Sequence, residues 1–128
     1  FLNSEATDED AHKLARIENA GVETSHKSDV HSILSDVQTN QHVNESATFA
    51  ESVFSSMSTR ALTHARAVRQ GPFTVLHGTV MPAILIEVGY VTNPEDAKNL
   101  LNNVFLKRLA SAIGSGIIEF AMKQKKMT

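Results

Sequence analysis

Met81-Pro82-Ala83-Ile84-Leu85-Ile86-Glu87-Val88-Gly89-Tyr90-Val91-Thr92-Asn93-Pro94 is the stretch on which the reading of this 128-residue chain turns. Ala83 to Ile86 are apolar without alternation, the pattern of a strand covered on both faces in a parallel or mixed sheet. Pro82 sits where a strand begins and tolerates the missing N–H. Glu87 ends the run, and Gly89 follows where the backbone turns. Asn93-Pro94-Glu95-Asp96 then starts a helix, with Asn as the N-cap, Pro in the first position and two acids in the first turn. Ligands of open α/β sheets bind beyond the carboxyl ends of the strands. Glu87 is therefore the candidate catalytic residue, since partial desolvation there raises a carboxyl toward the range of a general acid or base. The plainer reading makes it an edge glutamate paired with Arg66 or Arg69.

Working outward, Phe73-Thr74-Val75-Leu76 is a second strand, set off by Gly71-Pro72. Upstream, Thr7 or Asp8 caps a helix with Ala11, Leu14 and Ala15 on one side, and Gly21 stops it. After a polar connection, a long helix starts near Ser28 or Asp29, its apolar stripe including Val53, Phe54 and Met57. That stripe is interrupted near Gln41 and Asn44, which reads as a kink, a buried hydrogen-bonding site or part of an active-site wall. Downstream, a last helix spans about Phe105 to Met122, with Leu106, Leu109, Ile113, Ile117 and Phe120 as its apolar face and Gly114 and Gly116 as close-packing positions.

The order helix, long helix, strand, strand, helix, helix predicts an α/β fold: part of a mixed, mostly parallel sheet flanked by helices. Two strands alone make a marginal ribbon, so by its own pattern the stretch 1–128 reads as an incomplete domain. An exposed half-sheet leaves room for a dimer or an exchanged segment. The start at Phe1 reads as a cut.

Composition is that of a globular chain, with 41% apolar and 20% charged residues. Net charge is −2 without a basic stripe, which sets nucleic acid aside. No cysteine is present, which excludes disulfides and thiolate-bound zinc. No apolar run approaches the ~20 residues of a membrane span. The histidines are His12, His26, His31, His42, His64 and His77, without a His-x-x-x-His pair. His42 and Glu45 share a helix face and carry the weak option of a metal pair, while a chance surface pair is the commoner case. His77 either lines the Glu87 cleft or is an ordinary loop histidine. Arg66 either binds an anionic substrate or covers helix surface. No nucleophile elbow and no phosphate loop is present.

Several segments in order resemble the zinc-dependent N-acetylmuramoyl-L-alanine amidases. Ala11 to Ala20 is similar to a family helix ending in Glu-Asn, here Glu18-Asn19. Val43-Asn44-Glu45-Ser46 resembles the Asn-Glu-Ser of its long helix, and Arg66 to Gln70 with Phe73 to Leu76 resembles the segment before the catalytic stretch. Met81 to Tyr90, followed by Asn93-Pro94, is the most specific match. The resemblance implies a periplasmic or envelope enzyme that cleaves the amide between N-acetylmuramic acid and the L-alanine of the peptidoglycan stem. It implies Glu87 as the catalytic carboxylate, facing a zinc-bound water without ligating the metal, and Arg66 and Asn44 as substrate-binding candidates. The family's zinc ligands, two histidines and a glutamate, lie in segments upstream of Phe1, so no metal ligand is expected in this chain and the chain alone is expected to be inactive. The alternative is a non-catalytic envelope module that binds peptidoglycan or a protein partner.

Overall fold

The computed structural model describes residues 1–3, 5–20, 29–60 and 67–127, and of 29–41 and 127 the backbone only. Four α-helices stand among the described residues: α1 (Glu9–Glu18), α2 (Asp29–Arg60), α3 (Pro94–Leu100) and α4 (Asn103–Met127). Among the described residues no helix is long and apolar enough to cross a membrane. The expected Gly21 stop and the connection after it fall outside the described residues.

The caps explain where the helices begin. Asp8 is the N-cap of α1, its side chain accepting from the Ala11 N–H at 2.8 Å. Asn93 caps α3 by accepting from the N–H groups of Glu95 and Asp96, with Pro94 as the first helical residue. Asn102 does the same for α4, accepting from Val104 at 2.9 Å, so α4 starts earlier than the apolar periodicity indicates. Each cap occupies donors that the first turn of a helix leaves without a partner.

The α/β expectation is corrected here. Among the described residues there is no strand, only an isolated parallel bridge between Leu2 and Gly71. Its bonds run from the Asn3 N–H to the Gly71 carbonyl and from the Gly71 N–H to the Phe1 carbonyl, both at 3.1 Å. The segment Phe73 to Leu76, read as a strand, forms a 3-10 turn over Thr74–Leu76. In that turn, residues three apart lie on one side: Phe73 and Leu76 are buried while Val75 is 66% exposed. Residues 82–90 have neither helix nor ladder. Ala83 to Ile86 are all half-buried, as a run covered on both faces demands, yet a strand also needs a neighbouring backbone to exchange hydrogen bonds with. An apolar run specifies the covering and is silent about that neighbour.

The chain divides into two compact units, Phe1–Thr48 with Val68–Leu85 and Phe49–Ala67 with Ile86–Thr128. In the first, Leu2, Ala15, Phe73 and Leu76 form the core, with Leu14, Ala83 and Leu85 packed against it. In the second, the Phe49 to Arg60 part of α2 meets α4. Val53, Met57, Leu109 and Ala112 are buried, and the rings of Phe49 and Phe120 stack 4.7 Å apart. Ser56 donates to the Ala112 carbonyl at 2.8 Å. A Cβ on Gly116 would stand 2.5 Å from the Val53 Cα, so the two backbones approach closely at Gly116. Gly114, also expected to be a packing glycine, has nothing within 4 Å of its Cβ position.

Candidate functional site

Ile86 and Glu87 begin the second stretch of the second unit, Ile86–Thr128. Glu87 is exposed rather than half-buried like the four apolar residues before it. What surrounds it in sequence is well fixed. Gly89 has φ +150°, a conformation that side chains with a Cβ rarely adopt. The Tyr90 N–H donates to Oδ2 of Asp96 at 3.0 Å. The Asn93 N–H returns to the Tyr90 carbonyl at 2.9 Å, closing a four-residue turn. The Asn93 side chain, in turn, caps α3. Glu87 therefore precedes a turn that is anchored to the first turn of a helix by three side-chain hydrogen bonds.

In the first unit, Asn44 is exposed on α2, its carbonyl accepting from the Thr48 hydroxyl at 3.0 Å. It is not the buried hydrogen-bonding site that the break in the stripe suggested. Arg66 lies outside the described residues. Arg69 is engaged with Asp8 at 3.0 Å and Asp10 at 3.4 Å. His42 and Glu45 share a face of α2 as their spacing requires, and they meet each other at 3.0 Å. His42 also lines a shallow pocket with Leu2, Val43, Ser46, Thr79, Met81 and Ala83. His77 is exposed, next to the 3-10 turn.

Two polar residues missed in the sequence order this unit. Ser46 is 6% exposed and accepts from the Ala83 N–H at 3.0 Å, which ties the start of the apolar run to α2. Asn19 bridges with both ends of its amide, donating to the Pro72 carbonyl at 2.7 Å and accepting from the Thr74 N–H at 2.8 Å. The signal for both was present, since each ends a motif quoted above, Glu18-Asn19 and Asn44-Glu45-Ser46. Their partners, 55 and 37 positions away, were not legible.

A family model described as N-acetylmuramoyl-L-alanine amidase matches residues 9–119. The chain belongs to that family. N-acetylmuramoyl-L-alanine amidase AmiA of Salmonella typhimurium is 28% identical over 88 residues, covering 69% of this chain and 30% of AmiA. An uncharacterized cell wall amidase of Bacillus anthracis is 35% identical over 83 residues, covering 65% of this chain and 16% of that protein. A probable cell wall amidase, LytH, of Staphylococcus epidermidis is 32% identical over 73 residues, covering 57% of this chain and 25% of LytH. The chain thus spans under a third of the length of these curated relatives.

The family is generally zinc-dependent. A catalytic zinc centre needs three protein ligands and an open position. Among the described residues no three His, Cys, Asp or Glu side chains come together in a way that could hold a metal. The donor set described in this segment does not fit the metal.

Proposed function

We propose that the chain is the C-terminal part of a peptidoglycan amidase catalytic domain that works in the bacterial envelope. Its substrate is the amide between N-acetylmuramic acid and the L-alanine of the stem peptide. The observation that carries this reading is the family match over residues 9–119, which spans the Met81 to Pro94 stretch with its single carboxylate at Glu87. Hydrolysis of that amide requires a proton to leave the attacking water and a proton to reach the departing amine. Glu87 is assigned both tasks, as base and then as acid. Glu87 is an exposed residue of this segment. Arg66 and Asn44 are assigned to substrate binding, Arg66 as a donor to carboxylates of the stem peptide and Asn44 as an exposed amide on α2. Zinc belongs to the enzyme as a whole by family membership, and no step is assigned to it from these residues.

The test uses the full-length protein that carries this segment, assayed on peptidoglycan for newly released L-alanine amino groups. Glu87→Gln keeps size and hydrogen bonding but cannot carry a proton, so turnover should fall by at least ~10²-fold with circular dichroism unchanged. Near-normal turnover of that variant removes Glu87 from the chemistry. The second reading is a non-catalytic envelope module that binds peptidoglycan or a protein partner. It is supported if the full-length protein sediments with peptidoglycan yet releases no amine.

A further inference from the structure

We propose that Asp96 is the positioning residue for Glu87, holding through the Tyr90 amide the turn that sets where the Glu87 carboxylate stands; this rests on the assignment of Glu87 above. Nothing regular fixes residues 82–90 among the described residues, since they form neither helix nor ladder. A catalytic carboxylate on such a backbone must be held by specific bonds, because a misplacement of ~1 Å costs ~10²-fold in rate.

Asp96 supplies the bond nearest to Glu87 in the anchored turn. It occupies the third position of α3, where an acidic side chain commonly reaches back to the backbone of the N-cap residue. Here the carboxylate reaches further, past Asn93 to the Tyr90 N–H, at 3.0 Å. The same side chain lies over Gly89. A Cβ there would meet the Asp96 Cβ at 3.3 Å and its Oδ2 at 3.6 Å. Gly89 is thus selected twice, by its φ of +150° and by the Asp96 side chain above it. Asp96 is itself held, because its own N–H donates to the Asn93 side chain at 3.1 Å. The carboxylate is therefore placed by a helix cap and passes that placement to the residue three positions after Glu87. The charge of Asp96 suits the positive end of the α3 dipole, but what the Tyr90 N–H needs is an acceptor oxygen. Asparagine provides one.

The experiment compares Asp96→Ala and Asp96→Asn in the full-length protein, each in the native and the Glu87→Gln background, with kcat and KM separated on peptidoglycan. The expected result is a loss of about 10- to 100-fold in kcat for Asp96→Ala at nearly constant KM. Asp96→Asn restores most of it, and neither variant lowers the residual rate of Glu87→Gln any further. An equal loss in both backgrounds, or an asparagine variant as poor as the alanine one, overturns the inference in favour of a purely structural role. Wild-type kcat in Asp96→Ala beside a dead Glu87→Gln also overturns it, and leaves the assignment of Glu87 standing. Near-normal turnover in Glu87→Gln alone marks the other failure, that of Glu87, and the positioning role falls with it. If Asp96→Ala does not fold, Asp96→Ser takes its place: serine is well tolerated in a first turn, and its hydroxyl is one bond short of Tyr90.

Discussion

Asp8 serves two elements of the first unit at once. Its Oδ1 accepts from the Ala11 N–H at 2.8 Å and its Oδ2 from the Arg69 side chain at 3.0 Å. The Ala11 bond first, and then the Arg69 guanidinium, hold its carboxyl below the ordinary value of 3.8, against an opposing effect of desolvation. A carboxyl whose value is depressed on folding binds protons less readily in the folded than in the unfolded chain. The stability it contributes is fully present above pH 3.8 and is lost as the pH falls below it, through the folded value. Asp8→Asn keeps an N-cap oxygen for Ala11 but removes the titration. Urea unfolding from neutral pH to ~2.5 should therefore show wild type above the variant at neutral pH. The two curves should converge in the acid, and parallel curves throughout would contradict the linkage. This residue was legible in the sequence because a cap is local chemistry: Asp8 and Asn93 act on N–H groups two or three positions away. Asn19 and Ser46 do the same kind of work over 55 and 37 positions, and no local pattern reports such a partner.

At the scale of elements, the helices were legible and the strands were not, for one reason. A helix satisfies its own backbone within four residues, so periodicity and caps suffice to place α1 to α4. A strand is a relation between two backbones, and residues 82–90 carry the apolar pattern of one without a ladder among the described residues. Phe73 to Leu76 misled differently, since a spacing of three puts Phe73 and Leu76 on the same side of a 3-10 turn. The two glycines of α4 give the sharpest contrast within an element. Alanine at position 116 would press its Cβ against the Val53 Cα at 2.5 Å and the Ser52 carbonyl at 3.0 Å. Both are backbone atoms, so α2 and α4 must separate there, at a cost of ~1–3 kcal/mol. Gly114→Ala meets nothing within 4 Å and should gain up to ~1 kcal/mol from helix propensity. Thermal unfolding of this chain should therefore move in opposite directions for the two variants, by a few degrees each. A Gly116→Ala protein as stable as wild type would show that the crossing is looser than these distances require.

For the whole molecule, the question is whether this chain can hold the metal of its family. The sequence spacing says that its histidines do not converge, with no His-x-x-x-His pair and only His42 and Glu45 on a common helix face. The structure turns that pair inward on itself, with the imidazole and the carboxylate 3.0 Å apart. A bound zinc would have to break that contact and recruit a third ligand, and none of the described residues stands in place to supply it. The argument becomes quantitative through linkage. A ligand that binds only the folded state at 100 times its Kd stabilises that state by ~2.7 kcal/mol. A site like those that hold zinc in hydrolases would therefore raise the melting temperature of a chain this size by several degrees at micromolar metal. The 128-residue chain should instead melt at the same temperature with equimolar zinc and with chelator, and equilibrium dialysis should retain no stoichiometric metal. A clear upward shift, abolished by His42→Ala, would establish a zinc site on α2. The shallow pocket beside His42, lined by Ser46, Thr79 and Met81, would then become the place to look for its open coordination position.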